Sequence, residues 1–255
     1  MDNRLTTKVY WRRVQQAVSL PVIAKPGYDI DRILGNFLPK SDTMSLIEIG
    51  CAPGKWMAYF HKSFGYSVAG IEYVDSAATA TKQNMELQGI DAKVLSVDFF
   101  EAEIPPASYD VVFSGGFIEH FHDLDNTVGR ISKLAKQYVV TLVPNLYGIN
   151  GFISKKIRPT VFYAHKRIDA TLLRSLHERS ELCTLFCDYV GGLQFITVAA
   201  GLPFFDRNKT LAETIDLPFR AFNGISRILS KSLGLYPRTR LLATSVLYIG
   251  QRKSK

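Results

Sequence analysis

Hydrophobic and polar positions along this chain follow two periods that take turns. Short apolar runs at Leu46–Ile49, Ser67–Tyr73, Ala92–Val97, Asp110–Ser114 and Tyr138–Val143 have the length of buried strands. The stretches Lys55–Lys62, Ser76–Gln88 and Thr127–Lys136 between them carry helical patterning, and Gly89 closes the second of these. Strand alternating with helix predicts an α/β fold, a parallel sheet with helices on both faces.

The flanks are less regular. Leu5–Leu20 has helical spacing and ends at Pro21, Pro26 and Gly27; Ile30–Leu38 is a second helix, stopped by Pro39. These residues read either as a helical cap over a ligand or as plain packing against the sheet. After Asn145 comes an irregular basic stretch, Leu146–Arg167, then a helix at Ala170–Arg179 and a strand at Leu182–Val190. The segment from Gly191 to Arg240 separates this strand from a last one at Leu241–Gly250. Within it, Phe219, Phe222, Ile225, Ile228 and Leu229 recur at helical spacing opposite Arg220, Arg227 and Lys231. Such a stripe suits a peripheral membrane helix over 217–233 or an ordinary packed helix. The expected organisation is one domain, 1–255. It comprises a helical cap (1–40), a core (41–145), a lid-like insert (146–168) and a C-terminal part (169–255) that holds the insert 191–240.

Charge widens the set of partners. A net charge of +8 suits nucleic acid, an anionic lipid surface or a phosphorylated substrate. No apolar run reaches the roughly 18 residues of a membrane span, and the opening residues lack a signal-peptide core. The three cysteines are odd in number, and Cys183 and Cys187 have no matching ligand pair. Neither disulfide nor metal use is expected from them, and a reducing cytoplasm is the compartment they suit.

The chemistry starts at Ser45–Trp56, SLIEIGCAPGKW. A strand that feeds a glycine turn and then a helix is a nucleotide cradle, because glycine admits close backbone approach and the helix start presents unpaired N–H groups. The spacing is G-x-x-x-G and not the dinucleotide G-x-G-x-x-G, and Glu48 precedes Gly50 by two residues. A carboxylate there repels a pyrophosphate and suits a cationic head group. Glu72, about twenty residues past the first glycine, stands where such folds place an acid for ribose hydroxyls. Asp98 and Phe99 follow the third strand, an acid and a ring suited to an adenine. Past the fourth strand lies Glu119-His120-Phe121-His122-Asp123, with His120 and then His122 as candidate bases for a hydroxyl acceptor. A metal site from His120, His122 and Asp123 lacks a third anchor in sequence, so none is expected.

The strings EIGCAPG, GIEY, SVDFF and YDVVFSGGFIEHFHD, in this order across Ser45–Asn145, resemble class I S-adenosylmethionine (SAM) dependent methyltransferases. The nearest likeness is to the small-molecule enzymes of the ubiquinone and menaquinone biosynthesis group. The resemblance implies a Rossmann-like seven-stranded mixed sheet whose last strand runs antiparallel, with inserts after strands five and six. It also implies SAM as cofactor. By similarity Glu48, Gly50, Cys51 and Gly54 line the methionine end, Glu72 the ribose, and Asp98 and Phe99 the adenine, with Ala52 and Tyr73 also among the cofactor-binding residues. Ser114 closes the site beneath the sulfonium. Pro53 departs from the Thr or Ser that the family often has there. The sequence Ser-Gly-Gly-Phe replaces the N/D-P-P-Y string of enzymes that methylate planar amines, which points to oxygen or carbon as acceptor atom. Tyr28, Glu119, Lys155, Lys156, Arg158 and His165 are the candidate substrate contacts. The expected reaction is O-methylation of an anionic, phosphorylated or sugar-linked molecule, or of a quinone-like one. An RNA methyltransferase and a non-catalytic SAM-binding module are the alternatives.

Overall fold

The computed structural model describes residues 3–15, 19–195, 209–234 and 236–253. Its centre is β1 (Ser45–Ile49), flanked by β2 (Ser67–Glu72) and β4 (Tyr109–Gly115), both parallel to it. With β3 (Ala92–Ser96), β5 (Ala135–Pro144), β6 (Leu182–Val190) and β7 (Ser245–Arg252) they form one seven-stranded sheet, in the order β3-β2-β1-β4-β5-β7-β6. Only β7 is antiparallel to its neighbours. Strand order reverses between β1 and β4, and at such a switch point the carboxyl ends of strands leave a crevice for ligands.

Alternation along β1 explains why the apolar run holds the middle of the molecule. Leu46 faces one core, with Phe60 and Phe64 of α3 (Lys55–Phe64) and Ile33 and Leu34 of α2 (Tyr28–Phe37). Ile47 and Ile49 face the other, with Val128 and Ile131 of α5 (Leu124–Leu134) and Leu173 of α8 (Ala170–Glu178). Period-two geometry thus splits a single run between two apolar layers, as a sheet covered on both faces requires. α1 (Lys8–Gln15) and α4 (Asp75–Leu87) complete the first half.

Several boundaries depart from expectation. α5 starts at Leu124 and not at Thr127, because the Asp123 side chain caps it by accepting from Asn126 N–H at 3.0 Å. Leu146–Arg167 is not irregular: it holds α6 (Ile149–Ile157) and α7 (Pro159–Tyr163). Gly151 inside α6 hid the pattern, since its bare Cα packs directly on the Leu146 backbone where any Cβ would collide. β7 begins at Ser245, because Leu241–Thr244 turns to meet the chain after β5, with Leu241 O accepting from Ile149 N–H at 2.9 Å and Thr244 O from Asn145 N–H at 2.9 Å. The helix expected over Leu5–Leu20 is seen as α1, and residues 16–18 lie outside the described set. The last insert contains α9 (Lys209–Leu233). No helix among the described residues is long and apolar enough to cross a membrane.

Candidate active site

The carboxyl ends of β1, β2 and β4 open into a cavity of about 540 Å³, within the roughly 300–1,000 Å³ of small-molecule and cofactor sites. Its floor is the glycine turn. Gly50 (φ +72°) and Gly54 (φ +83°) both adopt left-handed backbone that side chains resist. A Cβ on Gly50 would stand 2.8 Å from the Phe117 ring, and one on Gly54 would stand 2.9 Å from Met85. Both positions therefore admit glycine and little else. Gly54 then caps α3.

Two buried carboxylates flank this turn. Glu48 accepts from Met57 N–H at 3.1 Å, and burial raises its pKa well above the usual carboxylate range, against the pull of Lys55. Glu72 ends β2 and accepts from Val74 N–H at 2.9 Å; burial raises its pKa too, while backbone N–H groups and Lys8 pull it down. Gly50, Ala52, Tyr73 and Phe99 share the lining with both acids.

Four other expected cofactor residues are not among those lining the cavity. Cys51 is fully buried beneath Gly70, where a Cβ would meet its sulfur at 2.5 Å, so it packs into the sheet. Gly54 shapes the turn from behind the lining. Ser114 is fully buried, with its hydroxyl 3.5 Å from Thr141, and Gly115 and Gly116 form that wall instead. Asp98 is not among the residues lining the cavity. One of its oxygens accepts from Phe100 N–H at 2.9 Å, and the other pairs with the Arg4 guanidinium.

That pair belongs to a strap that the sequence only hinted at. Arg4 lies among the rings of Tyr73, Phe100 and Phe121, at 5.2, 5.6 and 5.7 Å. Leu5 N–H donates to His120 O at 2.8 Å, and Arg4 bridges to Phe121 as an isolated antiparallel pair. Arg4, Thr6 and Trp11 line the cavity directly. The aromatic pair Tyr10-Trp11 among basic residues was the one sequence signal for this.

The far end of the cavity carries Glu119 and His120, on a 3-10 turn (Ile118–His120), and His165 from beyond α7. The two imidazoles lie 4.3 Å apart, and the Trp11 ring meets His120 edge-on at 4.8 Å. Burial, with His165 beside it, lowers the His120 pKa to about 3, so it does not titrate near neutrality as the sequence suggested. Burial lowers His165 likewise. Glu119 is buried with neither carboxylate oxygen hydrogen-bonded to another residue, and burial raises its pKa to about 8 against the pull of its own backbone N–H.

The remaining candidates do not join this group. His122 is exposed beyond the lining, its carbonyl holding the Lys166 ammonium at 2.5 Å. Lys155 and Lys156 project to solvent from the last turn of α6. Arg158 is half-buried near Asp216 and Tyr10. Tyr28 opens α2, and its side chain lies outside the described set.

A glycine turn that only bare backbone can occupy, two buried acids beside it and an aromatic wall fit a cationic sulfonium nucleoside. These features on this sheet order define a class I SAM-dependent methyltransferase site. A family model described as a methyltransferase domain matches residues 10–188, and the chain belongs to that family. Its cofactor is SAM. No curated protein matches the chain in sequence.

Solved structures share the fold at low identity. A putative sarcosine dimethylglycine methyltransferase from Galdieria sulphuraria is 12% identical with a TM-score of 0.62, over 96% of this chain and 98% of that one. A phosphoethanolamine N-methyltransferase from Haemonchus contortus, in complex with phosphomonomethylethanolamine and S-adenosylhomocysteine, is 13% identical with a TM-score of 0.62, over 97% of this chain and 58% of that one. The [4+2]-cyclase SpnF is 9% identical with a TM-score of 0.62, over 97% of this chain and 94% of that one. One fold thus serves different acceptors and even a different reaction, so acceptor chemistry has to be argued from the cavity.

Proposed function

We propose that the protein methylates a hydroxyl group on a small, largely apolar, ring-bearing acceptor of quinone-like type. The observation that carries this is the character of the far end of the cavity. Trp11, Trp56, Phe117, Phe121 and Leu142 line the same cavity as Glu119, His120 and His165, while Lys155 and Lys156, which would have met a phosphate, lie outside the lining. Bound SAM supplies an electrophilic methyl group. The chain holds it with Glu48 toward the amino-acid end and Glu72 toward the ribose. Phe117 and Trp56 exclude water, and the His120 imidazole, neutral near pH 7, accepts a hydrogen bond from the acceptor hydroxyl and aligns it.

Incubating the full chain with methyl-labelled SAM and a panel of acceptors tests this. Label is expected on hydroxylated aromatic compounds and not on sugar phosphates or RNA. Transfer to either of the latter, with none to the former, overturns the reading.

An apolar acceptor fits a second feature, the orientation of α9. Its polar side turns inward: Asn223 pairs with the Phe195 backbone at 2.7 and 2.8 Å, and Ser226 donates to Leu193 O at 2.7 Å. Its apolar side faces out, with Leu217, Ile225, Ile228, Leu229 and Leu233 each more than half exposed, and Arg220, Arg227 and Lys231 exposed along the helix. Apolar groups flanked by cations match an anionic lipid surface. Each such side chain contributes about 1.5–3 kcal/mol when fully buried. The protein is expected to sediment with phosphatidylglycerol vesicles in low salt and less with phosphatidylcholine. The double variant Ile225→Glu, Ile228→Glu is expected to lose about tenfold or more in affinity. Equal recovery of both proteins in the supernatant removes the membrane from the account.

A further inference from the structure

We propose that Glu119, His120 and His165 bind one divalent transition-metal ion at the acceptor end of the cavity. Each of the three offers a ligand atom, and these atoms lie within 4.8 Å of one another. Ligands about 2.0–2.2 Å from a shared ion stand roughly 3–4 Å apart, so small side-chain rotations close the set.

The imidazoles are already oriented for the purpose. The Nδ1 of His120 lies 3.0 Å from Ala164 O, and the Nδ1 of His165 lies 2.6 Å from Val161 O. A carbonyl only accepts, so both Nδ1 atoms carry the proton and both Nε2 atoms keep a bare lone pair. An imidazole tethered to a carbonyl through its other nitrogen is the usual arrangement of a metal-binding histidine.

Glu119 supplies the independent observation. It is 1% exposed, lines the cavity, and no other residue donates a hydrogen bond to either of its oxygens. An unsatisfied buried polar group costs about 1–3 kcal/mol, and more when charged, and a cation bound between it and the two imidazoles removes that cost. The scaffold is firm as well. Lys166 N–H donates to Glu119 O at 2.7 Å, which ties the turn carrying Glu119 and His120 to the segment carrying His165. The set the sequence offered, His120 with His122 and Asp123, does not assemble, because His122 is exposed and Asp123 caps α5.

Two nitrogens and one carboxylate select a first-row transition ion over magnesium or calcium. Three protein ligands leave positions open, as catalytic sites do and closed structural ones do not. All three residues line the cavity. This deepens the proposed O-methylation and rests on it: an ion held by the three side chains would take the His120 lone pair and replace its hydrogen bond to the acceptor hydroxyl, acidifying that hydroxyl so that its proton passes to water. The oxygen would then bond to the methyl carbon as the carbon–sulfur bond breaks and S-adenosylhomocysteine leaves.

The test uses full-length, tag-free protein stripped with a chelator, then titrated with Zn²⁺ by calorimetry and with Co²⁺ by visible absorption. S-adenosylhomocysteine binding is measured in parallel. One equivalent of either ion is expected to bind, with a Co²⁺ spectrum of mixed nitrogen and oxygen ligation. Glu119→Gln and His165→Gln are each expected to abolish that binding while S-adenosylhomocysteine still binds, which also shows that the variants fold. His122→Ala is expected to change nothing. Absence of Zn²⁺ and Co²⁺ binding beside intact S-adenosylhomocysteine binding overturns the metal site, as does binding that survives His165→Gln. Failure of the acceptor reading looks different: the ion binds, yet hydroxylated aromatics receive no label.

Discussion

Replacing Glu72 by alanine is expected to weaken S-adenosylhomocysteine binding by about 100-fold. Glu72 ends β2 on the cavity wall, buried, with one oxygen held by Val74 N–H at 2.9 Å. In the proposed reading its carboxylate accepts from the ribose diol. Hydrogen bonds to a charged group contribute about 1.5–3 kcal/mol each, and a net loss near 3 kcal/mol is about two decades in affinity. The variant also leaves Val74 N–H without its acceptor beside the ligand. Calorimetry on wild type and variant measures the change, with thermal unfolding as the check on folding. Unaltered affinity removes Glu72 from the ribose. Glu72→Gln keeps the shape and one acceptor, so its loss is expected to be smaller.

The second large effect is on stability and comes from His177. This imidazole is fully buried against the sheet, stacked 3.9 Å from Tyr248. It donates from Nδ1 to Leu173 O at 2.9 Å and accepts at Nε2 from the Thr141 hydroxyl at 2.9 Å. Every polar atom is satisfied in the neutral ring, and burial lowers its pKa from 6.5 to about 4. The unfolded chain therefore takes up a proton between these values that the folded protein refuses. Stability from this residue is complete above about pH 6.5, declines as pH falls, and is fully lost below about pH 4. At 1.36 kcal/mol per pKa unit the loss amounts to about 3 kcal/mol. Other buried groups titrate over neighbouring ranges, so the measurement is a difference. Urea unfolding of wild type and His177→Gln is compared from neutral to acid pH. The gap between the two proteins should narrow by about that amount. A gap that stays constant with pH shows that His177 does not carry the effect.

These residues show how far a linear reading reaches. Glu48, Gly50, Gly54 and Glu72 were legible because their spacing reports local geometry: a strand end, a left-handed turn and the next strand end are fixed by neighbours a few residues away. Sheet class was legible for the same reason, since period two and period 3.6 are local properties. Asp98 was legible as an acid following a strand, whereas its pairing with Arg4, 94 residues earlier in the chain, was not. His165 was named as one basic residue among several in its loop. Nothing nearby in sequence said that it, and not Lys155 or His122, would stand 4.3 Å from the His120 ring.

The order of apolar and polar residues by itself determined that this chain builds a two-faced parallel sheet with a glycine-bent nucleotide cradle at its middle, and the ordered motifs gave it a methyltransferase's cofactor. Only the tertiary structure decided what surrounds that cradle: which cations turn to solvent, which side of α9 looks outward, and which histidines meet Glu119. The physical reason is range. Backbone conformation and period answer to the nearest few residues, whereas a side chain's charge state and company depend on segments brought together only when the sheet closes.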